Sequence, residues 1–475
     1  MTTELKRKKP MKVKIDLTSG SILLKLLVVA VPMLLTSLVQ MAYNLTDLFW
    51  LSRISSIGGN PDEAVAAVGT AGYVPWFGFG LILIARIGVS VRVSQAAGRN
   101  DAERVNAMAT NGFVLMVVLG LLYVLAGTLF ATPYFNLFNL TNPNVQAQGV
   151  RYLRIVSAFG MSVFLVNLFN GIYDGLGKTI NAFYITASGL IFNMVLDPIL
   201  ILGLGFGVTG AALATGISQT LVLFIYAGIY LSKYRPARLH FKRYVNKIDL
   251  KNIAFLGFPV GIQSMLMTSI AIALGIMVAE YGETVIAVSR IGSQIEALSW
   301  MIASGFQVAL AAFVGQNVGA GQFDRVRAGY RLSMMLLVPY GLWVNALLFF
   351  GARPLFSAFI STEPTLTQGI DYLRILSLSQ LFMILDMVTA GAFNGLGRTT
   401  IPSVIQIIGN GLRIPLAIVL SALLVVPYHG IWWALTISSI FKGVVLVALF
   451  AIFMRRMLRK LQTAGLEKGP KVAYN

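Results

Sequence analysis

The sequence predicts an all-α integral membrane protein: twelve transmembrane helices in two six-helix lobes, related by pseudo-two-fold symmetry along the membrane normal. Three observations carry that prediction. Hydrophobic residues make up 57% of the 475 and charged residues only 12%, about half the charge of a soluble domain. Mean hydropathy is +0.77, and apolar runs of roughly 18 residues or more, each long enough to cross a bilayer, recur along the chain. The chain also repeats itself. YLRIVSAFGMSVFLVNLFNGIYDGLGKT from Tyr152 parallels YLRILSLSQLFMILDMVTAGAFNGLGRT from Tyr372, an offset of 220 residues. SQAAGRNDAERV from Ser94 parallels GQNVGAGQFDRV from Gly315, and VPMLLTS near Val31 parallels FPVGIQS near Phe258.

Apolar runs between polar or Gly/Pro breaks give the expected spans. Those of the N-lobe are 21–49, 64–92, 104–131, 147–173, 178–204 and 208–232. Those of the C-lobe are 252–280, 284–314, 327–351, 366–393, 399–426 and 429–454. Residues 1–20 form a basic N-terminal segment, 233–251 a basic linker between the lobes, and 455–475 a basic tail. No cleavable signal peptide is expected, because the first apolar run continues into a full span.

Charge fixes the expected orientation. Of the 37 Lys and Arg residues, only Arg53, Arg151, Arg154, Arg290, Arg353 and Arg374 fall on one side, and Arg86, Arg413 and Lys442 fall within spans. The rest, including Lys6–Lys9 and the linker, lie on the side of both termini. By the positive-inside rule that side is cytoplasmic, and the expected location is the plasma (inner) membrane of a prokaryote. The formal charge of +19 is therefore a topology signal that also favours anionic lipid headgroups, and nucleic acid is not an expected partner. The chain has no cysteine and two histidines, so disulfides, thiolate chemistry and a histidine-held metal centre are excluded. No HExxH motif or Ser–His pairing points to an enzyme, and none is expected.

Charged side chains inside a bilayer are costly and mark function or pairing. The acids inside spans are Asp47, Asp197, Glu296 and Asp386, and the bases are Arg86, Arg413 and Lys442. Asp47 follows Lys25 by 22 residues, Asp197 follows Lys178 by 19, and Thr215 precedes Lys233 by 18. At a helical rise of about 1.5 Å these three reach a common depth, roughly 27–33 Å from their anchors. Asn193 shares the helix face of Asp197. Two carboxyls, a carboxamide and a hydroxyl make an oxygen-rich site suited to a shared proton or to Na⁺, with no other metal expected. Asn167 and Asn170, nearer the cytoplasm, are expected to extend this network inward. The plain alternative is that such groups only bind helices together.

In the second half, NGLRIP (410–415) aligned with NMVLDP (193–198) loses the acid and gains Arg413. A buried Asp386–Arg413–Lys442 cluster follows, read first as a fixed ion pair. Glu296 is expected either to meet a cationic substrate or to snorkel to the outer interface. Arg86 is expected near the cytoplasmic end of its span, and Asp174 as a loop contact beside Lys178. Pro32, inside the first span, removes a backbone donor and is the expected hinge.

These strings resemble the multidrug and toxic compound extrusion (MATE) family: VPMLLTSLVQMAYNLTDLFWLSR (31–53), SQAAGRND (94–101), NMVLDPILILGLGFGVTGAALAT (193–215), QIEALSWMIASGFQVALAAFVGQNVGAG (294–321) and GLGRTTIP (395–402). The resemblance implies two lobes around a central cavity and export of amphipathic, often cationic compounds by H⁺ or Na⁺ antiport, without a cofactor. It is greatest for the DinF-like branch, which implies a coupling role for Asp47, Asn193 and Asp197, with Thr215, Asn167 and Asn170 around them. In the NorM-like branch an acid stands where this chain has Met267, and its helix 10 acid is displaced about one turn from Asp386. A monomer is expected. The alternative function is flipping of a lipid-linked precursor.

Overall fold

The structure is a computed structural model describing residues 16–138, 142–360 and 362–463. Lys6–Lys9 and the tail beyond residue 463 lie outside the described residues. Helices account for nearly all of it, with no strand among the described residues. Eleven helices are long and apolar enough to cross a membrane, and a twelfth span is a pair of helices bent by 46°.

In chain order the spans of the first half are α1 (Ile22–Leu51), α2 (Pro61–Gly98), α3 (Ala102–Leu129), α4 (Pro143–Ala158 and Gly160–Gly175), α5 (Thr179–Pro198) and α6 (Gly207–Leu231). Those of the second half are α7 (Lys247–Ala279), α8 (Glu283–Gly319), α9 (Phe323–Phe350), α10 (Glu363–Gly395), α11 (Thr400–Gly411 and Arg413–Leu423) and α12 (Pro427–Thr463). Local chemistry sets several starts. Asn60 accepts from the amides of Asp62 and Glu63 with Pro61 at the first helical position, and Asn246 accepts from the Asp249 amide; these side chains satisfy donors the helix leaves open. Pro32 sits inside a continuous α1.

The lobes interlock. The first half of α1 (Leu26, Val29, Ala30) packs into a core made with α8, α9, α10 and α12 of the second half. Reciprocally, Ile253 of α7 packs into the core of α2, α3, α4 and α6. The repeat thus exchanges its first helices, α1 lying against α8 and α7 against α2. Large exposed side chains such as Trp76, Phe224 and Phe350 ring the outside, as a lipid-facing surface requires.

The lobes close on each other at the face carrying the basic linker. A Cβ on Gly98 would stand 1.9 Å from the Gln316 carbonyl, and one on Gly319 would stand 2.0 Å from that of Gln95. Only glycine permits this approach of α2 to α8. Gln95 Nε2 donates across the seam to the Gly395 carbonyl (3.1 Å), and Gln316 Nε2 to that of Gly175 (3.2 Å). Arg104 of α3 grips Asp249 of α7 with two bonds, at 2.9 and 2.6 Å. The segment before α1 straps the same face. The Leu17 amide donates to Gln316 Oε1 (3.1 Å), and its carbonyl accepts from Asn317 and Arg325. The Leu17 side chain, fully buried, meets Gly177 of the other lobe.

Candidate coupling site

Asp47 lies one turn from the end of α1, and Asp197 is the penultimate residue of α5. The two carboxyls are close enough for each to act on the other. Two carboxylates are acceptors only, so neither can satisfy the other. Asn193, one turn earlier on α5, donates from Nδ2 to Asp197 Oδ1 at 3.3 Å. The Tyr43 hydroxyl lies near Asp47 and 3.2 Å from Thr215 Oγ1. Tyr152 closes the group, near enough to sense both acids. Asn193 and Asp197 are buried and Asp47 is half-buried. Three oxygens here have no donor: Asp47 Oδ1, Asn193 Oδ1 and Asp197 Oδ2. Among the described residues no Lys or Arg pairs with either acid. Buried acceptors without donors are costly. After Asp197 the helix passes through Pro198 into a π-helical turn, Ile199–Gly203, a widening often found at functional sites.

Asn167 and Asn170 do not extend this network. Asn167 Oδ1 accepts from Arg86 Nη1 (3.0 Å), and Asn170 Oδ1 accepts from Tyr226 and Thr186. Both asparagines are held by partners of their own. Asp174 also departs from expectation. It is buried within the span and paired with Arg86 Nη2 at 3.0 Å, because an arginine inside the bilayer needs its counter-ion there.

In the second half, Lys442 Nζ lies 3.9 Å from Asp386 Oδ2 and donates to Asn410 Oδ1 at 2.9 Å. Gln406 Nε2 reaches both Asp386 oxygens, at 3.1 and 3.2 Å. Arg413 is close enough to act electrostatically on Asp386 and Glu296, but its direct bonds are to Ser438 and Ser439. Glu296 does not snorkel. It is buried, with Gln380 Nε2 donating to Oε1 at 2.7 Å and the Tyr372 hydroxyl to Oε2 at 3.4 Å. The C-lobe thus holds two acids and two bases in balance, whereas the N-lobe pair is uncompensated.

Between the lobes lies a cavity of about 330 Å³, at the lower end of small-molecule pockets. Arg86, Ser90 and Asp174 line it from the N-lobe, and Met267, Gln307, Asn394, Ser403 and Gln406 from the C-lobe.

A sequence model of MatE matches residues 32–199 and 259–419, corresponding stretches of the two halves. The chain belongs to the MatE family. Relatives of similar length include a probable multidrug resistance protein NorM of Thermotoga maritima, 26% identical over 90% of this chain and 91% of its own. The probable multidrug resistance protein YoeA of Bacillus subtilis is 28% identical, over 85% and 88%. Among solved structures, the outward-facing conformation of a multidrug resistance MATE family transporter superposes with a TM-score of 0.86 at 22% identity, covering 95% of this chain and all of the other. A MOP superfamily transporter from Pyrococcus furiosus, described as having a binding pocket of reversed polarity, gives the same score and identity, over 94% and 99%. These likenesses establish the two-lobed MATE transporter fold.

Within this MatE chain, sequence reasoning missed Tyr43, Tyr152 and the π-helical turn. Tyr43 was within reach of it, standing one turn before Asp47 on the same face. Tyr152 comes from another helix, and nothing in local spacing marks it.

Proposed function

We propose that the chain is a secondary active multidrug exporter, taking amphipathic and often cationic compounds out of a prokaryotic cell in exchange for H⁺ or Na⁺. The observation that carries this reading is the approach of Asp47 to Asp197 and Asn193, with three donorless oxygens among these residues. A proton shared between the carboxyls, or Na⁺ held by them with Asn193, supplies what the oxygens lack and cancels one negative charge. The DinF-like pattern, an acid on the first helix and Asn-x-x-x-Asp on the fifth, accords with that role. The names of the curated relatives, all multidrug resistance proteins, support the cargo class.

The distribution of Lys and Arg supports cytoplasmic termini. The sealed seam then lies on the cytoplasmic side, and the cavity is loaded or emptied from outside in this state. Entry of the cation relaxes the repulsion between α1 and α5, and α1 flexes at Pro32. Because α1 packs on the C-lobe as well, its movement disturbs the seam and expels cargo as the cation descends its gradient. The pyrophosphate of a lipid-linked precursor would want several arginines. Among the described residues Arg86 is the one arginine that lines the cavity, and it offers a single guanidinium.

The test is efflux of a fluorescent organic cation from proteoliposomes under an imposed pH gradient and, separately, an imposed Na⁺ gradient. One gradient should drive efflux, and Asp47→Asn and Asp197→Asn should each abolish it with the fold intact. Wild-type rates in both variants would remove the acids from the mechanism.

A further inference from the structure

The floor of the inter-lobe cavity is built from equivalent positions of the two repeats that carry different chemistry. Asp174 and Asn394 stand 220 residues apart in the aligned repeat, and Arg86 and Gln307 stand 221 apart. The backbone confirms this equivalence. Gly171 abuts Arg86 as Gly391 abuts Gln307, each placed so that a Cβ would press on the partner's carbonyl, at 3.0 and 2.4 Å. All four polar residues line the one cavity. The N-lobe therefore presents a charged pair where the C-lobe presents its neutral counterparts, a carboxamide for each.

Three oxygens on this floor are buried without a donor: Asp174 Oδ1, Asn394 Oδ1 and Ser403 Oγ. Asp174 is 4% exposed, Asn394 8% and Ser403 1%. They come from both lobes, so no helix contact within one lobe satisfies them. Buried oxygens left in this way fit a guest with several N–H bonds to give, such as an ammonium group. Arg86 has the opposite need. It spends two of its N–H bonds, on Asn167 and Asp174, and a guanidinium has five. The remaining donors fit a carboxylate. Leu83, Ile87, Val260, Met267 and Val308 make the rest of the wall apolar.

We propose that this floor is a cargo subsite for small amphipathic zwitterions, binding an ammonium group at Asp174, Asn394 and Ser403 and a carboxylate at Arg86. It rests on the exporter reading above and narrows its cargo: a cation alone leaves Arg86 unused, and an anion alone leaves the three oxygens bare. Because the acceptors belong to both lobes, such a guest ties the lobes together while bound.

Three matched probes test this by direct binding to the purified full chain in nanodiscs, with no gradient. They are the dipeptide phenylalanyl-alanine (a zwitterion), its methyl ester (a cation) and its N-acetyl derivative (an anion). Loss of one charge-assisted contact costs about 1.5–3 kcal/mol, so the zwitterion should bind roughly ten-fold or more tighter than either derivative. Arg86→Gln with Asp174→Asn keeps the floor neutral and makes it resemble the C-lobe half. That double variant should bind the zwitterion and its ester within about two-fold of one another. Ser403→Ala, outside the ion pair, should weaken the zwitterion and the ester alike and leave the N-acetyl probe unchanged.

Equal or tighter binding of the ester by the wild-type chain would overturn the inference, as would no binding of any probe. A retained preference for the zwitterion over its ester in a folded double variant would do the same. These outcomes are separate from failure of the exporter reading, which is judged by gradient-driven efflux of an organic cation.

Discussion

Replacing Lys442 by Met tests whether the C-lobe charges form a fixed structural pair. Lys442 Nζ and Asp386 Oδ2 are 3.9 Å apart, and both side chains are buried. At an effective dielectric of about 20 their attraction is about 4 kcal/mol. Lys442→Met removes that attraction together with the 2.9 Å bond to Asn410. Asp386 keeps its two bonds from Gln406 and the field of Arg413, so the lost attraction is only partly replaced. The cost of stranding one member of a buried pair is about 3–5 kcal/mol, and the lower half of that range is expected here. The double variant Asp386→Asn with Lys442→Met removes both charges while Gln406 keeps a partner. It should recover to within about 1–2 kcal/mol of wild type. Equilibrium unfolding in mixed micelles with rising SDS reads both quantities. If Lys442→Met costs less than about 1 kcal/mol, or if the double variant is as unstable as the sum of the singles, the pairing argument fails.

Further predictions concern the N-lobe site and the seam. Tyr43→Phe removes a hydroxyl that contacts Thr215 and lies near Asp47. It should slow gradient-driven efflux several-fold without abolishing it, and wild-type rates at sub-saturating gradients would exclude Tyr43 from the site. Gly98→Val places a side chain against the Gln316 carbonyl and should hold the seam open. Because the chain has no native cysteine, a single cysteine engineered beside Gly98 reports this as faster thiol labelling, and an unchanged rate would refute it. Leu17→Ala leaves a void beside Gly177 and should also raise labelling, at a stability cost of about 2–5 kcal/mol. Asp16, ahead of α1, gives a pH prediction. Partial burial raises its pKa, but bonds from Ser19 and Thr18 outweigh this and hold it below the ordinary 3.8. Its contribution to the strap is therefore present above about pH 4 and lost only as pH falls through the lower folded value. Asp16→Asn should leave the pH profile of seam labelling unchanged between about pH 5 and 8.

The twelve spans were legible because bilayer crossing imposes a long apolar run whatever the tertiary contacts. The repeat, visible at Tyr152 and Tyr372, foretold the two lobes. Convergence of Asp47, Asp197 and Asn193 was legible too, since depth follows from residue count and face from the four-residue spacing. Rotation about each helix axis was not. Asn167 and Asn170 share a span with the predicted network, yet they turn to Arg86 and Tyr226. Asp174 looked like a loop contact because its partner Arg86 lies 88 residues away. Glu296 left two readings open, and only Gln380 and Tyr372, brought in by α10, decide that it is buried. The exchange of α1 and α7 between halves had no sequence signature at all.

That exchange gives α1 the place of a lever. One unbroken helix carries Asp47 near one tip, and fifteen residues earlier, about 22 Å along its axis, it carries Pro32 beside the opposite bundle. In the proposed exchange a change in charge at the tip would reach the other half of the molecule through this helix, pivoting where Pro32 meets the opposite bundle. No relay of side chains has to be conserved between ion and gate.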